Sequence, residues 1–136
     1  MKLKVLLKRI LRLKKRKINE MTTRGRGARI KGATFERDIA KILQEKTGLE
    51  AKRGLGQARV GGSEIADVEI DYIHIEAKRQ IKCNIKAAMR QAIDDSKEKN
   101  KPPVVITKDD REPILVTMLL DDWIDFFKAY IEHKNE

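Results

Sequence analysis

Cysteine and histidine are scarce in this chain of 136 residues. The single cysteine, Cys83, excludes a framework of internal disulfides and fits a reducing intracellular setting. Because His74 and His133 are the only histidines, the chain has too few soft ligands for a structural zinc site. No apolar run approaches the roughly 20 residues that a membrane span needs. We therefore predict an intracellular protein with one folded domain and no membrane anchor.

Aromatic residues are also few, at 4% of the chain (three Phe, two Tyr and one Trp). Four of them lie at core spacing in the last predicted helix: Trp123, Phe126, Phe127 and Tyr130. Stacking platforms for single-stranded nucleic acid need exposed aromatics beside a basic groove. A nucleic acid partner is therefore expected to be recognised through duplex backbone and shape.

Positive charge is abundant and unevenly distributed. Residues 1–35 contain 13 Lys/Arg and one acid, whereas residues 36–136 contain the remaining 18 Lys/Arg and 20 acids. The first segment therefore has a net charge of +12 and the rest a net charge of −2. Such asymmetry indicates a polyanionic partner, either nucleic acid or an anionic membrane surface, and predicts binding that weakens strongly with salt.

The basic segment has two predicted parts. In residues 1–21 the leucines and isoleucines recur at helical spacing among lysines and arginines, which predicts a basic amphipathic helix. Such a helix could dock on the domain, pair with a partner subunit, lie on lipid or follow a DNA backbone. Residues 22–32 are rich in Gly and Arg, and we predict a flexible segment there. Met21 could serve as an alternative start, in which case the preceding arm would be an appendage.

Residues 33–136 are predicted to form the folded domain, with helices and strands in alternation. Thr34 and Gly48 are predicted to bound the first helix, Asn84 to cap the second and Asp121 to cap the last. The predicted elements are helix 34–46, strand 49–53, two acidic strands within 67–78, helix 84–99, strands 104–107 and 114–119, and helix 121–132. This order predicts an α/β fold with a mixed sheet and helices on its faces.

The stretch from Asp67 to Lys78 contains the strongest functional signal. It reads as two short alternating strands, and the second is predicted to present His74, Glu76 and Lys78 on its solvent face. Hard cations such as Mg²⁺ prefer carboxylate oxygens, and a nearby lysine can neutralise charge that develops on a phosphoryl group. Asp, a spacer and Glu-x-Lys therefore indicate phosphodiester cleavage. An exposed strand with alternating charges has the same pattern, so the motif alone does not discriminate.

With its neighbours, this motif makes the chain resemble the PD-(D/E)xK nuclease superfamily, and within it the archaeal and phage Holliday-junction resolvases, over about residues 31–119. The residues that carry the resemblance are Lys31-Gly32, Glu36-Arg37, Arg53, Gly61-Gly62, Asp67, Glu76-Ala77-Lys78, Arg79 and Gln91. The chain departs from the pattern in having Ala66 where a proline precedes the acid, and in a longer loop from Gly54 to Ser63. Glu64 competes with Asp67 as the motif acid, and we favour Asp67 because it begins an alternating strand.

The resemblance implies a restriction-endonuclease-like mixed β-sheet flanked by helices, here with a basic N-terminal helical arm. It implies that Asp67, Glu76 and the backbone carbonyl of Ala77 hold one or two Mg²⁺ ions, with Mn²⁺ as a substitute. Glu36 would reach toward the metal, and Lys78 would position or activate the attacking water. Supporting roles fall to Ser63 and Gln91. The residues expected to contact nucleic acid are Arg24, Arg26, Arg29, Lys31, Arg37, Arg53, Gln57, Arg59 and Arg79.

The function implied is a metal-dependent, structure-selective DNA endonuclease, a Holliday-junction resolvase that leaves 5′-phosphate ends. A four-way junction has approximate two-fold symmetry and is cut on two strands, so a homodimer is expected. The partners expected are branched or duplex DNA, with no membrane and no small-molecule substrate. Three alternatives stay open: a related nuclease that cuts nicked, flapped or duplex DNA, a non-catalytic DNA-binding protein, and a membrane-surface protein.

Overall fold

The computed structural model describes residues 2–54 and 66–136, which form three helices and five strands. In chain order these are α1 (Lys2–Thr47), β1 (Ala51–Arg53), β2 (Val68–Ile70), β3 (His74–Gln80), α2 (Ile85–Ser96), β4 (Pro103–Asp109), β5 (Leu115–Met118) and α3 (Leu120–Asn135). The chain divides into two units between Lys31 and Gly32. Within the described ranges, no helix is both long and apolar enough to cross a membrane.

The first unit consists of the N-terminal part of α1. Its described side chains are exposed, including the apolar ones, with Leu3 at 69% and Leu11 at 65% of full exposure. The helix continues through residues 22–32, where the sequence predicted a flexible Gly/Arg-rich segment, and Thr34 therefore lies inside α1 and does not begin it. Each glycine costs about 1 kcal/mol relative to alanine, but no proline interrupts the segment, and good helix formers lie between its glycines. The flexibility of this segment and its separation as an arm stay predictions.

The second unit contains the sheet, with strand order β1-β2-β3-β4-β5. β3 and β4 pair in parallel, whereas the other neighbours pair antiparallel. A parallel pair needs a crossover connection, and α2 supplies it between β3 and β4. The predicted α/β fold with a mixed sheet and flanking helices is confirmed.

Both faces of the central strands are covered. On one face, Phe35 and Ile39 of α1 pack with Ile75 of β3 and Ile106 of β4. On the other face, Ala88, Met89 and Ala92 of α2 pack with Val105 of β4. Strands that are covered on both sides bury residues at successive positions. The charged residues of β3 are therefore expected to be buried along with the apolar ones.

Two of the predicted helix ends are confirmed, and a third is corrected. Asn84 caps α2 as predicted, since its Oδ1 accepts a hydrogen bond from the Ala87 amide at 3.1 Å. Gly48 follows the end of α1 with a φ of 75°, also as predicted. The predicted cap at Asp121 is wrong: α3 begins at Leu120, and Asp121 lies in its first turn. A carboxylate there still opposes the positive end of the helix dipole.

α3 also corrects a prediction about the core. Its four aromatic side chains lie at core spacing in the sequence, but no residue of α3 is buried. Trp123, Phe126, Phe127 and Tyr130 each expose between 44% and 55% of their surface. Spacing predicts which residues share a face of a helix, but it does not predict whether another element covers that face.

Candidate active site

Asp67 is fixed at the start of β2 by three backbone contacts. Its amide donates to the Ile75 carbonyl at 2.9 Å, its carbonyl accepts from the Gly54 amide at 2.9 Å, and its Oδ2 accepts from the Ala77 amide at 2.8 Å. The antiparallel pairing of Val68 with Ile75 sets this register. Asp67 is thus held against the middle of β3, with only 3% of its surface exposed.

Glu76 and Lys78 form an ion pair on the face of β3 that α2 covers. Lys78 Nζ lies 2.7 Å from Glu76 Oε1, and the lysine side chain is 31% exposed. Glu76 is 1% exposed, so the prediction that this carboxylate faces solvent is wrong. Its strand lies in the doubly covered part of the sheet. The Lys78 ammonium is the counterion of this buried carboxylate.

The surroundings of Asp67 favour its protonated form and raise its pKa from 3.8 to about 7. Burial is the main cause, and the negative charges of Glu76 and Glu36 also raise the pKa, whereas the Ala77 amide and Lys78 lower it. Burial alone would lower the pKa of Lys78, but the three carboxylates raise it above its ordinary value. Glu36, Asp67, Glu76 and Lys78 therefore interact as one cluster, called the acidic cluster below.

Glu36 enters the cluster from the part of α1 that belongs to the second unit. Its side chain is 12% exposed, and its Oε2 lies 2.5 Å from Nε of Arg53 on β1. Arg53 was predicted to contact phosphate, but its guanidinium is held by Glu36. The ion pair fixes the Glu36 carboxylate at the edge of the sheet and offsets part of its charge.

The donor set at the acidic cluster fits a hard divalent cation. Asp67 and Glu76 are buried carboxylates whose negative charges repel each other, and the single charge of Lys78 offsets only part of this repulsion. A divalent cation would relieve it. In the described part of the chain, no three His, Cys, Asp or Glu residues lie close enough to hold a metal alone. Mg²⁺ is commonly held by one or two carboxylates and completes its shell with water and substrate phosphate, so the pair suffices.

The other predicted site residues are placed as follows. Arg79 is 16% exposed and bound within the protein, because its Nη1 contacts Asp110 Oδ1 and the Lys108 carbonyl. Gln91 and Arg37 are exposed on α2 and α1. Basic residues of the first unit are likewise exposed on α1, namely Arg24, Arg26, Arg29 and Lys31. The remaining candidates, Gln57, Arg59, Ser63 and the competing acid Glu64, lie outside the described residues.

Sequence reasoning missed the surroundings of His74, which lies two positions before Glu76 on the same face of β3. It is 1% exposed, and its Nε2 has no hydrogen-bond partner. Burial lowers the pKa of His74, and the charge of Lys99 lowers it further. The alternation along β3 placed His74 on the correct face, but no local signal showed that α2 covers this face.

A family model described as phage putative PDDEXK endonuclease matches residues 27–135. No curated protein and no solved structure matches the chain significantly. The family match covers most of the chain and includes every member of the acidic cluster. On this match, the chain belongs to the phage PDDEXK endonuclease family, within the PD-(D/E)xK nuclease superfamily.

Proposed function

We propose that this endonuclease is metal-dependent, that it cuts branched DNA as a Holliday-junction resolvase, and that the acidic cluster is its active site. The observation that carries the proposal is the buried Glu76–Lys78 pair beside Asp67, whose pKa is raised to about 7. Burying charges that repel each other is costly, and perturbed carboxyl groups of this kind concentrate at functional sites.

Asp67 and Glu76 would hold Mg²⁺, or Mn²⁺ in its place, with the carbonyl of Ala77 as a further ligand. When bound, the cation neutralises negative charge that develops on the phosphoryl oxygens. Glu36 would supply further negative charge near the ion, and its ion pair with Arg53 holds the Glu36 carboxylate in place. We assign Glu36 a positioning role on this basis.

Lys78 would act as a cationic donor. Its pKa is raised, so the side chain is charged at neutral pH and has no lone pair with which to act as a base. Glu76 fixes its Nζ, and the 31% exposure of the side chain leaves it accessible from solvent. It can therefore orient the attacking water and stabilise charge on the phosphoryl group.

The reaction would be a hydrolysis of one phosphodiester bond in each of the two strands that are cut. The water oxygen bonds to phosphorus and releases a proton to solvent, the bond from phosphorus to the 3′ oxygen breaks, and that oxygen takes a proton from solvent. The products are a 5′-phosphate and a 3′-hydroxyl group. Gln91, which is exposed on α2, and Ser63 are proposed as supporting residues on the resemblance.

DNA binding would rest mainly on the exposed basic side chains of α1. We propose phosphate contacts for Arg24, Arg26, Arg29 and Lys31, and for Arg37, because long cationic side chains on a helix surface release counterions when they meet phosphates. Gln57 and Arg59 keep the same proposed role. Arg53 and Arg79 are weaker candidates, since each is engaged by a carboxylate of the protein.

The choice of a four-way junction is supported by the resemblance and by the two-fold symmetry that the reaction requires. The decisive experiment compares a labelled four-way junction with linear duplex, nicked and flapped DNA of matched length in Mg²⁺. Paired cuts at symmetric positions, in preference to the other substrates, are expected. Equal cutting of linear duplex would favour a general nuclease, and binding without cutting in any divalent metal would favour a non-catalytic DNA-binding protein.

A further inference from the structure

An uncovered apolar stripe runs along α3. Leu120, Trp123, Phe127, Tyr130 and Ile131 follow the spacing of one helical face, and each exposes at least 42% of its surface. The rings of Trp123 and Phe127 stack with their centroids 5.1 Å apart, which holds these two side chains together on the surface. These five residues are called the α3 stripe below.

A different side of α3 borders a cleft of about 480 Å³. Asp122, Asp125 and Phe126 line this cleft together with Tyr72 and Lys101 from the end of the sheet. No residue of the α3 stripe is among them, so the stripe lies on another side of the helix.

The apolar area of the α3 stripe is close to what an interface needs. Its three aromatics, each about half exposed, contribute roughly 200–350 Å², because a fully buried aromatic side chain covers about 150–250 Å². Leu120 and Ile131, which are 68% and 42% exposed, add to this area. A standard interface buries about 800 Å² on each partner, of which somewhat more than half is apolar, so the stripe supplies most of the apolar area that one interface needs.

The charges of α3 favour a second copy of the same helix in antiparallel orientation. Its first turn contains two acids, Asp121 and Asp122, whereas Lys134 offsets Glu132 near its last turn. In an antiparallel two-fold pair the acidic first turn of one helix lies beside this more balanced last turn of the other, and the helix dipoles oppose each other. A parallel pair would place the two acidic first turns together.

We propose that the α3 stripe is the dimer interface, occupied by the α3 stripe of a second copy of this chain. The inference deepens the proposed function, since it names the surface that would bring two active sites together for paired cuts. Its evidence is nevertheless separate, because exposure, area and charge on α3 do not depend on the reaction.

The test is the mass of the full-length chain in solution, measured by sedimentation equilibrium with and without Phe127→Glu. The wild type is expected to be a dimer, and Phe127→Glu is expected to weaken dimerisation at least 100-fold, because it places two glutamates at the centre of the pair. Leu7→Glu is the matched control, since Leu7 is 49% exposed on the first unit and belongs to the other uncovered apolar helix face. It is expected to leave the dimer unchanged.

Three results would overturn the interface: a monomeric wild type, a dimeric Phe127→Glu, or a dimer lost in Leu7→Glu and kept in Phe127→Glu, which would assign the contact to the N-terminal helix.

The outcome for the interface and the outcome for the function can be separated. If the interface is correct and the chain is a resolvase, Phe127→Glu keeps its circular dichroism spectrum and makes single unpaired nicks in a four-way junction. If the interface is correct and the proposed function is wrong, the wild type is a dimer that cuts no junction and Phe127→Glu is a monomer. Paired cuts by a monomeric wild type would contradict the interface alone.

Discussion

Asp67→Asn is predicted to stabilise the metal-free protein at the expense of its activity. The pKa of Asp67 is about 7 in the folded protein and 3.8 in the absence of the fold, so the folded state holds its proton about three pH units higher. One unit corresponds to about 1.36 kcal/mol, which makes the cost of ionising this side chain in the folded protein about 4 kcal/mol above pH 7. Asparagine removes that cost and can still accept the hydrogen bond from the Ala77 amide.

The direction of the pH dependence follows from the number of protons that Asp67 binds in the folded and unfolded states. Between pH 3.8 and about 7 the folded state binds more protons at Asp67 than the unfolded state does, so the contribution of this group to stability falls as the pH rises through that window. Below pH 3.8 its contribution is fully present. The gain from Asp67→Asn should therefore increase by roughly 2–3 kcal/mol between pH 5 and pH 8.

Urea unfolding in EDTA at both pH values measures this gain. Glu69→Gln serves as the matched control, because Glu69 is an acid of the same strand whose side chain is 42% exposed beside Lys52. Its effect is expected to stay below about 0.5 kcal/mol. An Asp67→Asn variant that is less stable than the wild type at pH 8, or whose gain is the same at both pH values, would refute the account of repelling buried carboxylates.

Three further predictions follow from the same structure. Mg²⁺ at pH 8 should raise the melting temperature of the wild type by binding the folded state, and should raise that of Asp67→Asn much less, as measured by differential scanning fluorimetry. Lys78→Ala should cost about 1–3 kcal/mol in urea unfolding, because it leaves the buried carboxylate of Glu76 without its cation; an equally stable variant would contradict the ion pair. Arg24→Ala combined with Arg26→Ala should lower the slope of log affinity for duplex DNA against log salt by about two, and an unchanged slope would remove both residues from the phosphate contacts.

The parts of the fold that were predictable from sequence are those fixed by local chemistry. Asn84 caps α2 through its own side chain, and Gly48 follows α1 with a φ of 75° that other residues rarely adopt. The strands of the acidic motif were predictable because charged and branched apolar residues alternate along β3. The mixed sheet then followed from the order of elements.

The parts that were not predictable depend on which element covers which face. Alternation placed Glu76 on the face opposite Ile75, but both faces of β3 are covered, so Glu76 is as inaccessible as the core. The same limit affected α3, where Trp123 and Phe127 share a face that nothing in the chain covers among the described residues. The pairing of Glu36 with Arg53 joins α1 to β1, and no local pattern indicates such a contact.

The continuity of α1 has a different cause. Gly25, Gly27 and Gly32 suggested a break, yet a helix tolerates isolated glycines when no proline removes a hydrogen bond and the neighbouring residues favour helix.

The measurement that tests the central claim most directly is single-turnover cleavage of a labelled four-way junction in Mg²⁺ by the wild type, Glu76→Gln and Glu69→Gln, with junction binding in Ca²⁺ measured alongside. If the acidic cluster is the active site, Glu76→Gln loses at least 1000-fold in cleavage rate and keeps its affinity for the junction, while Glu69→Gln cuts at close to the wild-type rate. Cleavage by Glu76→Gln within 10-fold of the wild type would place the chemistry elsewhere in the chain.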